Sequence, residues 1–268
     1  MSPRPTVQAH STARNAASRG VGIALLVWAP LASAQEAGHS VDLAARLARS
    51  AFSSMVAGPV APPWRLVGLP GQKAPFTRFD IQPLPEGAAL RVRADGSYGN
   101  LLFDADTTLL AATARLRWRW RLERGLELSD LQHKAGDDAP VKVCALFDMA
   151  LDGLSFGEQA RLRMARAVSG ETLPAATLCY VWDRLLPTGS IISNAFSARV
   201  RYLVVSDGPP RPGHWVSLDR PLTEDFQRAF GHETRTVPAL VALAVGADAD
   251  NTGGSSMALV GDVQLVQP

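Results

Sequence analysis

Eight consecutive residues, Arg115-Leu116-Arg117-Trp118-Arg119-Trp120-Arg121-Leu122, alternate between a guanidinium and an apolar side chain. Successive side chains of a strand point to opposite faces, so Leu116, Trp118, Trp120 and Leu122 share one face and the four arginines share the other. The apolar face belongs in a core, where two indoles are a large part of the burial. The arginine face repels itself unless acids or a ligand lie opposite. Neighbouring segments could supply partners: Asp137 and Asp138 precede a strand-like run at 141–149, and Lys142 opens that run's polar face. Arg199 and Arg201 lie on a further strand whose Val200, Tyr202 and Val204 point inward. One reading is a groove of Arg117, Arg119, Lys142, Arg199 and Arg201 that holds a carboxylate, a phosphate or a sulfated sugar. The other is a solvated face laced with cross-strand salt bridges.

Other residues offer further chemistry. Tyr180 and Trp182 share a strand face and form either a stacking platform or part of the core. Asp137, Asp138 and Asp250 are acid/base candidates for glycoside chemistry, although sequence does not set the carboxylate separation that such chemistry requires. Asp248-Ala249-Asp250-Asn251-Thr252-Gly253 places oxygen ligands at alternate positions before a glycine, like the start of a calcium loop. The twelfth position is Leu259 rather than Glu and no helices flank the segment, so an EF-hand is excluded. A one-turn calcium site at Asp248 and Asp250 is one alternative; a turn whose side chains bond to backbone is the other. No other cofactor is implied. GxSxG, HExxH, Walker and GxGxxG signatures are absent, and His39, His133, His214 and His232 stand alone. Cys144 and Cys179 both fall in strand-like runs and either pair as a disulfide or remain as free core thiols.

The elements that carry these residues are mostly short strands. Residues 41–55 have Leu43, Leu47, Phe52 and Met55 at helical spacing, and prolines at 59, 62 and 63 end that pattern. Eleven β-like runs follow, at 64–69, 76–82, 88–94, 101–104, 114–123, 141–149, 177–183, 198–206, 215–220, 237–245 and 256–266. Turn residues such as Asp95-Gly96 and Asp207-Gly208-Pro209-Pro210 separate them. Helical interruptions are expected at 155–168 and 222–230. Many strands with Gly/Pro turns indicate an all-β sandwich or barrel with a few short peripheral helices.

The first 34 residues have a basic start, an apolar run from Val21 to Leu31 and a small-x-small site at Ala32-Ser33-Ala34. This is the pattern of a secretory signal, with cleavage expected near Ala34 and a periplasmic or secreted product. The run is well short of the roughly 20 residues that span a bilayer, and no later segment is long and apolar enough. Removing Arg4, Arg14 and Arg19 leaves 24 basic against 25 acidic residues, a net of −1. Bulk charge therefore gives no support to a nucleic-acid partner. The expected organisation is a leader at 1–34, a helix and linker at 35–63, and one β-sandwich domain at 64–268.

Several motifs together resemble the bacterial domain-of-unknown-function family 3047. They are Leu116 to Arg121, Asp137-Asp138-Ala139-Pro140-Val141-Lys142-Val143, Leu178-Cys179-Tyr180-Val181-Trp182, Trp215, Arg220, Glu224-Asp225-Phe226, Ala229-Phe230-Gly231, Asp248 to Gly253, and Gly261-Asp262-Val263. The likeness runs from Trp64 to the C-terminus, with Lys142, Cys179, Ala247 and Ala249 as departures from the family pattern. It implies an exported, jelly-roll-like antiparallel sandwich similar to carbohydrate-binding modules, and it carries no activity. The leading expectation is non-catalytic binding of a saccharide or another polar envelope ligand, through candidates that include Asp137, Asp138, Asp250 and Asn251. The alternatives are a polysaccharide hydrolase or lyase using an Asp pair, and a structural envelope protein. Whether the chain is an enzyme, and its oligomeric state, are left open.

Overall fold

The computed structural model describes residues 42–69, 71–151, 156–169 and 174–267. The leader expected at 1–34 lies outside the described residues, as does Val41, the expected first residue of the helical run. That helix, α1, occupies residues 42–49 and stops sooner than its apolar spacing suggests. Ser50 N–H reaches back to both Arg46 O and Leu47 O, and a single 3₁₀ turn, Phe52–Ser54, follows. Leu43, Leu47 and Phe52 are buried in the main core, where Phe52 meets Trp64 at 4.9 Å and Trp64 meets Phe103 at 5.1 Å between centroids. Trp64 Nε1 donates to Ser50 O at 3.1 Å, which fixes the linker onto the helix end.

The remaining chain forms two seven-stranded sheets packed face to face. In chain order the first strands are β1 (Gly58–Pro59), β2 (Arg65–Val67), β3 (Arg78–Leu84), β4 (Gly87–Asp95), β5 (Tyr98–Thr108) and β6 (Arg115–Arg124). Then come β7 (Lys142–Phe147), helix α2 (Phe156–Ser169), β8 (Ala176–Asp183), β9 (Ile191–Ser193), β10 (Val200–Asp207) and β11 (Val216–Pro221). Helix α3 (Leu222–Phe230), β12 (Leu240–Asp248), β13 (Ser255–Val260) and β14 (Gln264–Val266) complete the chain. One sheet, here sheet A, has the order β1-β3-β4-β13-β6-β11, with β14 also on β6; sheet B has the order β2-β5-β12-β7-β8-β10-β9. The expected jelly-roll-like all-β sandwich is therefore present. Neighbouring strands are antiparallel except β8 and β10, which run parallel. The run expected at 256–266 is two strands, because Gly261-Asp262-Val263 breaks the ladder where Gly261 N–H bonds to Arg119 O.

Strand β6 buries the face that its alternation assigns to the core. Trp118 and Trp120 meet edge to face at 5.6 Å. Trp118 packs on Tyr180 at 5.0 Å, and Trp120 packs on Trp182 at 6.3 Å, across the gap between the sheets. Both indole N–H groups on this second contact are satisfied, Trp120 by Ser206 Oγ and Trp182 by Gly208 O. Each such ring buries roughly 150–250 Å², so these four aromatics dominate the core. Helix α3 adds Phe226 and Phe230, stacked at 5.2 Å, with Phe226 against Phe147. Its Asp225 is buried, accepting two bonds from Arg220 and one from Tyr180 Oη.

Cys144 and Cys179 lie directly opposite each other on β7 and β8 and form a disulfide, with Cα atoms 4.0 Å apart. The bond closes a loop with a sequence separation of 35, within which α2 lies. Constraining a loop of that size is worth about 3–4 kcal/mol in the unfolded chain. Replacing both cysteines by alanine is expected to lower unfolding free energy by about that amount. Urea denaturation of the double variant measures this, and reductant should bring the wild type to a similar midpoint; an unchanged midpoint would refute the assignment.

Candidate functional site

The arginine face of β6 is on the outside of sheet A and mostly satisfies itself. Arg115 and Arg117 both donate to Asp219 of β11, at 2.5 and 2.9 Å, and Arg121 pairs with Glu123 on its own strand. The partners are thus Asp219 and Glu123. Asp137, Asp138 and Lys142 belong to sheet B and its loops, and cannot face β6 from outside. Arg199 and Arg201 also lie away from it. They share Glu233 beyond α3, and Arg201 covers the Phe230 ring at 4.7 Å. The expected five-residue basic groove does not form: its members are divided between two sheets, and β10 has the opposite parity to that expected, with Arg201 beside Leu203 on the Phe230 side while Tyr202 and Val204 face outward with Cys179 and Val181. Tyr180 and Trp182 are likewise core residues between the sheets, with no face open for stacking.

A different set of candidates does come together, on the outer face of sheet B. Asn100 of β5, Gly246 of β12 and Lys142 of β7 lie in one cross-strand row. Lys142 and Asp248 are both buried, and Lys142 Nζ donates to Asp248 Oδ2 at 2.7 Å. The other Asp248 oxygen accepts the Ala139 N–H at 2.7 Å, while Asp248 N–H bonds to Ala139 O. This two-way link seats the 137–140 loop against the end of β12. Gly246 has a steric reason to be glycine: a Cβ there would stand 2.0 Å from Asn100 Oδ1. Its absence lets the Asn100 side chain lie across β12 toward Lys142. Tyr98, opposite Asp248, holds its ring 4.9 Å from the Lys142 ammonium and accepts from Asn100 Nδ2 at 3.2 Å.

The two neighbouring carboxylates, Asp137 and Asp138, are both buried yet differ in their bonding. Asp138 accepts from Asn251 N–H at 3.2 Å, Asn251 Nδ2 at 3.1 Å and Thr252 N–H at 2.7 Å. It clamps the turn after β12. Asp137 accepts from Asn194 Nδ2, which also donates to Tyr202 Oη at 2.9 Å, while its Oδ1 has no partner among the described residues. Burial, reinforced by the nearby Asp248 charge, pushes the Asp137 carboxyl up to about 6; Tyr202, Lys142 and Asn194 oppose this. Burial also raises Asp250, with Asp248 and Asp138 adding to it. For Lys142, burial alone would favour the neutral amine, but Asp248, Tyr98 and Asp137 outweigh it and hold the ammonium above its ordinary range. Burial raises Asp248 too, against its bonds to Lys142 and Ala139, and the 2.7 Å contact keeps the pair ionic.

The site therefore gathers Asp137, Asp138, Lys142, Asp250 and Asn251 from the sequence candidates, and leaves out Arg117, Arg119, Tyr180, Trp182, Arg199 and Arg201. It adds Tyr98, Asn100, Asn194 and Tyr202. The calcium reading loses one of its two ligands, since both Asp248 oxygens are committed to Lys142 and Ala139. Among the described residues no group of three or more acidic, His or Cys side chains is disposed to hold a metal.

Solved structures with similar strand arrangement include the Cel12A catalytic domain of Humicola grisea, in complex with a thio cellotetraose. It is 12% identical, covers 81% of this chain and 99% of that one, and has a TM-score of 0.42. The Trichoderma harzianum endoglucanase 3 of family GH12 is 11% identical over 78% and 99%, with a TM-score of 0.40. A family 11 carbohydrate-binding module from Clostridium thermocellum, in complex with a mixed-linked tetrasaccharide, is 9% identical over 80% and 97%, with a TM-score of 0.36. Likeness at this level is too weak to carry an argument about ligand or activity. No curated protein matches. The sequence itself matches a family profile over residues 62–264, most of the two sheets and the whole of the Lys142 cluster. The chain accordingly belongs to DUF3047, a family of proteins of unknown function.

Proposed function

We propose that this chain is an exported, non-catalytic binding module whose ligand is a saccharide or another polyhydroxylated envelope component, held at the Lys142 cluster. One observation carries the reading: unmet acceptor capacity is concentrated there, whereas the buried donors without a partner are scattered over both sheets. Four buried side-chain acceptors among the described residues have no partner, and three of them, Asn100 Oδ1, Asp137 Oδ1 and Asp250 Oδ1, surround Lys142. A buried polar group without a partner costs roughly 1–3 kcal/mol, so a fold that keeps three in one place has a use for them. Sugar hydroxyls both donate and accept, which suits carboxylate and amide oxygens beside an ammonium. Asn100, Asn194 and Asp250 are half-buried and Asn251 is exposed, which gives the cluster a rim open to solvent.

A second reading is favoured by Asp137 alone. A carboxyl that titrates near 6 is a proton donor in the range that a glycan hydrolase or lyase requires. Export is supported by the paired cysteines, since disulfides persist in oxidising compartments.

Three measurements test these statements. Asn100→Ala and Asp250→Ala should each weaken glycan binding at least tenfold by titration calorimetry, with melting temperatures close to wild type. A wild type that binds nothing across a panel of neutral and acidic glycans would defeat the binding reading, as would two variants that bind normally. The raised Asp137 value makes the folded state bind its proton more tightly than the unfolded one. Its contribution is thus fully present below about pH 4 and is lost as pH rises through about 6, a difference of roughly 2–3 kcal/mol. Urea melts at several pH values should show that decline in wild type and lose it in Asp137→Asn, which should be the more stable protein at pH 7. N-terminal sequencing of protein recovered from a bacterial periplasm should begin at Gln35; an intact Met1 there would refute cleavage.

A further inference from the structure

The outer face of sheet A carries a second feature, independent of the Lys142 cluster. Of the five β6 arginines, Arg115 and Arg117 are held by Asp219, Arg121 is held by Glu123, and the exposed Arg124 bonds to Ser255 Oγ; Arg119, half-buried, is likewise without a carboxylate partner among the described residues. It is nevertheless fixed in place. Its guanidinium carbon lies 4.4 Å from the centre of the Trp215 ring, and that indole is anchored by Nε1 donating to Glu86 Oε1 at 3.0 Å. On the other side, its stem lies against Gly261, where a Cβ would come within 2.7 Å of Arg119 Cγ. Glycine at 261 is what lets the arginine side chain lie flat beside the break between β13 and β14.

Arg119 borders a depression of about 430 Å³ that Arg117, Ser217, Asp219, Asp262 and Gln264 also line. The acids of this depression are already engaged. Asp219 is shared by two arginines, and both Asp262 oxygens accept from Ser53, one from its N–H at 2.9 Å and the other from its Oγ at 2.6 Å. What the depression offers a ligand is one planar, pre-oriented guanidinium that no salt bridge ties down, with a hydroxyl and a carboxamide beside it; the Glu86 carboxylate that holds Trp215 feels its charge without bonding to it. A guanidinium held by stacking keeps its fork of donors free, and its ordering cost is met before any ligand arrives.

We propose that this depression is a binding site for a carboxylate-bearing sugar, a uronic acid or the acidic residue of a short oligosaccharide. The carboxylate takes a bidentate contact with Arg119, and ring hydroxyls bond to Ser217 and Gln264. Charge-assisted bidentate contacts of this kind are the strong ones at a protein surface.

The test compares glucuronic acid with glucose, its neutral counterpart, by titration calorimetry on the protein with both cysteines paired. Glucuronic acid is expected to bind saturably and at least tenfold more tightly than glucose. Arg119→Ala should bring it down to the glucose level. Arg119→Lys keeps the charge and the fold but removes the planar fork, and it should lose at least tenfold as well. Arg78→Ala, which removes an exposed cation elsewhere on sheet A, should leave glucuronate binding unchanged, so that a loss in Arg119→Ala belongs to that side chain and not to net charge. Equal binding of the two sugars, or an Arg119→Ala variant that binds glucuronate as wild type does, would overturn the proposal. Full retention by Arg119→Lys would overturn the bidentate contact on which it rests.

Discussion

The Lys142–Asp248 ion pair is the constraint on which the outer face of sheet B depends. Both groups are buried, and taking two charges out of water costs several kcal/mol per ion before their attraction offsets it. An apolar pair of similar volume would stabilise the sheet at least as well, so stability alone does not account for it. Its geometric effect is larger. Asp248 holds the Ala139 amide as well as the Lys142 ammonium, so the loop before β7 is fixed to the end of β12. With that loop in place Asp138 reaches the amides of Asn251 and Thr252, and Asp137 turns the other way, toward Asn194 and Tyr202. Removing either partner would leave a bare charge under the loop, a loss of about 3–5 kcal/mol, and would release the carboxylates that it positions.

The two outer faces manage charge in opposite ways. On sheet A the charged side chains are numerous, exposed and paired across strands, as Arg91 with Asp80 and Arg117 with Asp219. Such pairs are each worth at most about 1 kcal/mol and are screened by salt. Sheet B has exposed pairs too, as Arg65 with Asp104, but its Lys142–Asp248 pair is buried, carries a large desolvation penalty and depends on its specific partners. Selective recognition is therefore easier to build on sheet B, where a ligand replaces interactions that water cannot supply. On sheet A the comparable feature is Arg119, a cation held by stacking on Trp215 rather than by a carboxylate.

The sequence made the strands legible and left their assembly hidden. Period-two alternation in Arg115–Leu122 assigned the indoles to the core correctly, because parity is a local property of an extended chain. Parity says nothing about which sheet a strand joins. On β10 the parity reading itself fails, because apolar residues fill both faces of that strand: Tyr202 and Val204 face outward and Arg201 lies on the Phe230 side, in a different sheet from β6. The same limit applies to Tyr180 and Trp182, whose burial depends on facing Trp118 and Trp120 across the sandwich. Tyr98, Asn100, Asn194 and Tyr202 went unmarked because they reach the site through pairings such as Asn100 with Gly246, at a separation of 146 residues. Only Gly246 left a trace, a glycine inside an otherwise apolar strand, which signals close approach of another chain segment.

Asp137 and Asp138 show why residue type and spacing were insufficient even where the candidates were right. As sequence they are equivalent, a pair of acids before a proline. In the fold, Asp138 meets three N–H donors from the 251–252 turn and is committed to holding backbone. Asp137 meets one side-chain amide, keeps a free buried oxygen and faces the field of Asp248. The first therefore serves to hold backbone, and burial pushes the second up to about 6. A ligand hydroxyl brought to Asp137 would be offered an acceptor or a donor depending on pH. In the proposed reading, proton transfer would rest on that single carboxyl, and the ion pair between Lys142 and Asp248 fixes the loop that carries it.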